Sequence, residues 1–428
     1  FAPRRRMLAL SISPALPRIG IVVVCSPARS HPSTELIDSV LSSLDLFEGL
    51  SDAPVGVVCD GCRELEPDHA ARLSARLEAN PMRFSKRGIV SQRVAASYAL
   101  YKQRLADGTR PRAISTLELD SHHGFALSAR EGLRWVQEAG CTHALVCQHD
   151  RRFVRRVAAP TISALLAHFD RTPSCRYIGF PSGTSKRLAA RTANEYQLSA
   201  LLDARTYPLP TPTGRAATCA SRLALRPSIF WYDSNHLVHV ERSMELLYEP
   251  DAPTGPAVRY GDRWQVHEPP SVGFARAPPA LRARLGARGA GRFRLRRGDF
   301  IEDRFGVEQR DLLAAMRDEP LEAQLSTFDW FGSYMVEEVV DEISEEEVVS
   351  EWLPVGERAD GDRLRFGQVD RHGLVTWVEH IDGRGQVPPS ERRPPGSPRD
   401  LDGRPPRGRW GEERDGAERM KQEAKGVD

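Results

Sequence analysis

Hydrophobic positions in this chain fall into short continuous runs separated by stretches of helical periodicity. The first run, Ile19-Gly20-Ile21-Val22-Val23-Val24-Cys25, is almost wholly β-branched, as expected of a strand buried on both faces of a parallel sheet. A loop follows over 26–33. Leu36, Ile37, Val40, Leu41 and Leu44 then recur at helical spacing, which predicts a helix from about Thr34 to Leu44 with Ser33 or Thr34 as its cap. Pro54-Val55-Gly56-Val57-Val58-Cys59 predicts a second buried strand, ending at Asp60-Gly61. A strand–helix–strand unit of this kind closes right-handed.

The alternation continues. Helices are predicted over His69–Leu77, Gln92–Leu105 and Ser128–Ala139, the last stopping at Gly140 before a strand over Thr142–Cys147. A helix over Thr161–Phe169 precedes a strand over Tyr177–Phe180. Elements of these lengths in this order predict an α/β fold: a Rossmann-like, mostly parallel sheet flanked by helices. After Pro181 the pattern loosens and re-emerges over Ser228–Leu247 and Gly298–Met316. In the former, Leu237, Val240, Met244 and Leu247 have the spacing of one buried helix face. Met335–Trp352 is acidic and valine-rich. Leu364-Arg365-Phe366 and Leu374-Val375-Thr376-Trp377-Val378 predict a hairpin around Asp370-Arg371-His372-Gly373. The expected organisation is a disordered or targeting segment over 1–17, a main domain over 18–334, an acidic segment with a small C-terminal β extension over 335–383, and a disordered tail over 384–428.

Composition narrows the function classes. Lys+Arg 60 against Asp+Glu 58 leaves a formal net charge of +2 in 428 residues. That balance argues against a general nucleic-acid binder, whose affinity rests on many phosphate contacts. Cysteines 25, 59, 62, 141, 147, 175 and 219 are odd in number and scattered, which suits reduced core thiols better than a disulfide framework. No stretch approaches the ~20 apolar residues that span a bilayer. Arg4-Arg5-Arg6 before Met7-Leu8-Ala9-Leu10 resembles the start of a signal or transit sequence, and Phe1 in place of methionine fits a fragment or a processed form.

Three segments carry candidate chemistry. In His143-Ala144-Leu145-Val146-Cys147-Gln148-His149-Asp150 an apolar strand runs into a polar, acidic end. Ligands of open parallel sheets bind outside the carboxyl ends of strands, where Asp150 can hold a divalent cation or cap the next helix. In Gly298-Asp299-Phe300-Ile301-Glu302-Asp303, the adjacent carboxylates Glu302 and Asp303 suit a general base, and equally suit a helix start, where the dipole favours negative charge. In Phe230-Trp231-Tyr232-Asp233-Ser234-Asn235-His236, aromatics interleave with polar tips as in a carbohydrate or nucleoside pocket, or as a core pair before a capped helix. His122-His123-Gly124 lacks the spacing of an iron site. Without GxGxxG or GxxxxGK[ST], a Rossmann dehydrogenase or P-loop NTPase is excluded as a leading reading.

Taken in order, these segments resemble the GT-A family of nucleotide-sugar glycosyltransferases, of the family-2-like type. The resemblance rests on Ile21-Val22-Val23-Val24-Cys25-Ser26-Pro27, on a second strand ending at Asp60, on Gln148-His149-Asp150 where the family has a DxD motif, and on Glu302-Asp303. Only the last carboxylate of the DxD motif is kept. The resemblance implies a hexosyltransferase-type enzyme, metal-assisted and inverting, using a UDP- or GDP-sugar donor and a carbohydrate or glycoconjugate acceptor. It implies that Asp150, with His149 compensating for the missing carboxylate, holds Mn2+ or Mg2+ and the donor diphosphate. Ser26 and Asp60 would face the donor, Trp231, Tyr232 and Asp233 would line the sugar or acceptor pocket, and Asp303 or Glu302 would deprotonate the acceptor. Family habit allows a Golgi or endoplasmic-reticulum lumen as well as the cytoplasm. A nucleotidyltransferase of similar sheet, or a GT-A-shaped binding protein with a decayed site, remain alternatives.

Overall fold

In chain order, the strands that build and border the central sheet are β1 (Ile19–Cys25), β2 (Val55–Cys59), β3 (Ser115–Glu118), β4 (His143–Gln148), β5 (Arg151–Phe153), β6 (Tyr177–Gly179), β7 (Tyr207–Pro208), β8 (Ser221–Pro227), β9 (His236–His239), β10 (Ser333–Val340) and β11 (Val378–His380). The helices that bear on the site are α1 (Glu35–Ser43), α2 (Gln92–Asp107), α3 (Gly124–Glu138), α4 (Ala159–Arg171), α5 (Val240–Leu247), α6 (Val307–Ala314) and α7 (Leu321–Phe331). This computed structural model describes residues 19–64, 88–108, 112–183, 188–210, 221–248, 297–340 and 374–381, with 258–260, 263–265, 368–369 and positions 110, 185, 277, 281, 293 and 295.

Nine strands form one sheet in the order β3-β2-β1-β4-β9-β6-β10-β8-β7. Every neighbouring pair from β3 to β4 is parallel. β9 then runs antiparallel to both β4 and β6, β6 and β10 are parallel, and β8 and β7 add on antiparallel. The fold is thus the expected α/β sheet, mostly parallel at its core and flanked by helices. All seven positions of β1 are buried, which explains the unbroken apolar run.

Helix α3 lies directly on β1 and β2. A Cβ on Gly20 would stand 2.7 Å from Val136, and one on Gly56 would stand 2.7 Å from Trp135. The helix approaches that closely because two strand positions lack side chains. Burial of Leu127, Leu133 and Val136 on α3, and of Ile37, Val40 and Leu41 on α1, completes the layers on the sheet.

Four expectations need correction. The apolar spacing over 234–247 predicted one helix, but Leu237 and Val238 belong to β9 and the helix begins at Val240. Four residues are too few for periodicity to separate strand from helix, and the pairing partners of β9 lie far away in sequence. β10 crosses the expected boundary between residues 334 and 335, and its Tyr334 and Val336 are core residues of the main sheet. α3 starts at Gly124, four residues before Ser128. The second hairpin strand, Val375–Thr376, pairs with Gln368–Val369; Leu364–Phe366 lies outside the described residues, as do the helix expected over His69–Leu77 and the segments 1–17 and 384–428.

Candidate active site

The carboxyl ends of β1, β2 and β4 share one edge of the sheet, and backbone hydrogen bonds draw them together. The Asp60 amide donates to the Cys25 carbonyl at 2.9 Å, and the His149 amide to the Val24 carbonyl at 3.1 Å. Ser26, half-buried, therefore stands between the strand ends that carry Asp60 and His149. Because β9 is antiparallel, its N-terminal approach, Asp233-Ser234-Asn235, arrives at this same edge. The Gln148 side chain donates to the Asp233 carbonyl at 2.8 Å, the Gln148 amide to Asn235 Oδ1 at 3.3 Å, and Asn235 Nδ2 to the Arg151 carbonyl at 2.9 Å. Gln148, where the resemblance expects a first carboxylate, fastens the approach to β9 onto the end of β4.

The Glu302-Asp303 segment joins from the other side. The Asp233 amide donates to Glu302 Oε2 at 3.4 Å, and the Glu302 amide donates to Asp233 Oδ2 at 3.3 Å. Glu302 opens a five-residue π-turn, Glu302–Gly306, that runs into α6. Asp233 thereby acts on the first amides of a helix assembled 69 residues downstream. Glu302 is half-buried and Asp303 is exposed. Burial, with the neighbouring charges of Glu302 and Asp303, pushes the Asp233 carboxyl well above the usual carboxylate range, against the Glu302 and Ile301 amides that favour the anion.

Asp60 is 2% exposed and points inward. Its carboxylate accepts from the backbone amides of His123 at 2.6 Å and Gly124 at 3.0 Å, and His122 Nδ1 stands 2.8 Å from Oδ2. This carboxylate caps the N-terminus of α3 from across the sheet, which is why the helix begins before any local capping residue announces it. Both oxygens of Asp60, expected to face the donor, are instead occupied and buried. Trp231, expected to line the sugar or acceptor pocket, lies in the core. It is fully buried between Tyr177, with ring centroids 4.5 Å apart, and Phe305 at 5.5 Å, and so has no ring face open to a sugar. Tyr232 is half-buried beside Phe230, and burial pushes its hydroxyl up to about 12.

Asp150 lies beyond β4 in a turn covered by residues 374–381, a strap that carries β11. β11 pairs antiparallel with β5, and His380 Nε2 donates to Asp150 Oδ2 at 3.1 Å. Burial raises the Asp150 carboxyl, but the His380 hydrogen bond and the His149, His380 and Arg151 charges together hold it below its ordinary value. Its other oxygen, Oδ1, is buried and makes no hydrogen bond. His149 turns Nδ1 toward the Val24 carbonyl, 3.2 Å away. His31, in the loop after β1, stacks on Tyr101 with ring centroids 3.9 Å apart and lies 6.5 Å from the His149 ring.

A divalent cation needs several oxygen or nitrogen ligands. Asp150 offers one oxygen without a hydrogen bond, and that oxygen is buried; among the described residues no group of three or more His, Cys, Asp or Glu is arranged to hold a metal. The described residues do not build a metal centre of their own. Sequence reasoning missed His380, His31 and the inward turn of Asp60. Only a contact across 230 residues marks His380.

Among the described residues no helix is long and apolar enough to cross a membrane. No family model matches the chain, and no curated protein matches it. Solved structures with partial likeness include S. aureus TarS 1–349, at 11% identity, TM-score 0.26, over 54% of this chain and 50% of that one. The same segment in complex with UDP aligns at 10% identity and TM-score 0.26. A further structure of S. aureus TarS aligns at 10% identity and TM-score 0.25, over 54% of this chain and 30% of that one. The chain spans about half the length of the first of these structures.

Proposed function

We propose that this chain is a glycosyltransferase that moves a sugar from a nucleotide-sugar donor to an acceptor hydroxyl with inversion. The observation that carries the reading is the meeting of two chemically different ends at one sheet edge. One end is the Ser26, His149 and Asp150 group beyond the parallel strands. The other is the Asp233, Glu302 and Asp303 carboxylate group, tied to the first through Gln148. Nucleotides bind at the carboxyl edge of open α/β sheets, which assigns the donor to the first end. The acceptor then lies at the second, with half-buried Tyr232 beside it.

In this reading Asp303 takes the proton from the acceptor hydroxyl. The acceptor oxygen forms a bond to the anomeric carbon, the bond from that carbon to the donor phosphate breaks, and the electron pair leaves with the nucleoside diphosphate. Asp303 suits the base role because it is exposed, whereas Glu302 is partly buried and engaged with Asp233. Ser26, His149 and the strap residue His380 frame the donor phosphates.

Calorimetric titration with UDP and with GDP, each in Mn2+, in Mg2+ and in EDTA, tests this. Binding of at least one nucleotide is expected, and it should survive EDTA, because the described residues assemble no group of three or more metal ligands. Absence of binding under every condition would sink the proposal. Asp303→Asn is expected to spare binding and to abolish release of UDP or GDP from the corresponding sugar donor; loss of binding instead would contradict the base assignment.

A further inference from the structure

Asp233 is as deeply buried as Asp60, the other confined carboxylate at this edge. It is 2% exposed, its Oδ2 accepts the Glu302 amide at 3.3 Å, and its own amide donates to Glu302 Oε2 at 3.4 Å. Its Oδ1 is buried and without a hydrogen-bond partner. An ionised carboxylate with one bare oxygen in a dry site, beside two further carboxylates, is the costliest state open to this side chain. The titratable groups that face it are Glu302 and Asp303 from the π-turn and Tyr177 from β6. Tyr177 turns its hydroxyl to the Tyr232 carbonyl at 3.2 Å, so it supplies no cation. None of these groups carries a positive charge; the Glu302 and Ile301 amides favour the anion, but burial beside two carboxylates outweighs them, and proton uptake relieves the site.

We propose that Asp233 is a positioning residue for the Glu302-Asp303 pair: its side chain, held as the neutral acid, caps the Glu302 amide and so fixes the turn that carries Asp303 at the sheet edge. The neutral acid removes one of three negative charges from the acceptor end while keeping the oxygen that caps the turn. Burial and the two adjacent carboxylates favour the same protonation state. The role of Asp303 in this inference rests on the glycosyltransferase reading. The state of Asp233 and the order of the turn do not.

The test uses the full chain without ligand. Infrared spectra at pH 7 should show the carbonyl stretch of a protonated carboxyl, shifted in D2O and missing in Asp233→Asn. Hydrogen exchange over residues 300–306 should stay within about threefold of wild type in Asp233→Asn, which keeps a neutral oxygen acceptor. It should quicken by roughly five- to tenfold in Asp233→Ala, the loss expected for one hydrogen bond. Absence of the protonated band in wild type overturns the proposal, as does an Asp233→Asn variant that exchanges in this turn as fast as Asp233→Ala. If Asp233→Ala does not fold, the band and the exchange of Asp233→Asn against wild type decide alone. Both readouts stand whether or not the chain binds UDP, so failure here and failure of the glycosyltransferase reading are separable.

Discussion

At the scale of single residues, the carboxylates of the sheet edge divide by what their burial leaves them free to do. Asp60 is committed to two backbone amides of α3. Removing a buried acceptor strands its donors, at about 1–3 kcal/mol each. Asp60→Ala is therefore expected to lower the melting temperature by several degrees, and an unchanged melting temperature would show that these contacts are absent. Asp233 makes a prediction of opposite kind. Its folded pKa is raised, so the folded state binds more protons than the unfolded chain above the unfolded pKa, and its contribution to stability falls as pH rises through that window. Asp233→Asn removes this dependence. The melting temperature of the variant relative to wild type should become more favourable from pH 4 to pH 7, by roughly 2 °C or more if about 1 kcal/mol is involved. A difference constant across that range would contradict it.

At the scale of elements, what could be read from sequence was what a run of adjacent residues decides. β1, β2 and β4 announce themselves because every side chain in them is apolar or nearly so, and α1 because its buried positions recur every three to four residues. β9 and the start of α3 were hidden, since the first is defined by partners on β4 and β6 and the second by a carboxylate more than 60 residues away. The strap is the clearest instance. Its Trp377 stacks on Phe180 with centroids 5.6 Å apart and donates from Nε1 to Glu338 Oε2 at 2.9 Å. Glu338, 4% exposed, also receives Arg155 at 2.7 Å. Breaking a buried ion pair by removing one member costs about 3–5 kcal/mol. Glu338→Ala should therefore release residues 374–381 from β5, read as faster hydrogen exchange there and over 151–153, with β1 and β2 unaffected. Unchanged exchange in the strap would show that Glu338 does not hold it.

At the scale of the whole molecule, buried histidines link the sheet to pH. His31, His143, His168 and His236 are each at most 8% exposed, and burial lowers their pKa values to about 3, 3, 4 and 4. The causes beyond burial differ: His149 acts on His31, His239 and Arg242 act on His143, and Arg171 acts on His168, while for His236 the Ser234 carbonyl opposes the shift. All four are neutral in the folded chain at neutral pH. Their unfolded pKa is near 6.5, so below that value the unfolded chain binds protons that the folded chain refuses. The stability they permit is fully present above about pH 6.5 and is lost as pH falls toward the folded values. Four groups acting together remove several kcal/mol, a large share of the ~5–15 kcal/mol that holds a domain. Urea denaturation should therefore show a midpoint that drops steeply between pH 6.5 and pH 4.5, with no comparable change between pH 7 and pH 8. His143 faces His239 across β4 and β9 with ring centroids 5.0 Å apart, a pairing that keeps the charged forms apart. A His143→Phe variant should flatten part of that slope, because the aromatic volume stays and the refused proton goes. A midpoint that holds level through pH 5, or a slope equally steep in His143→Phe, would show that proton uptake by these buried rings does not govern the acid stability of the fold.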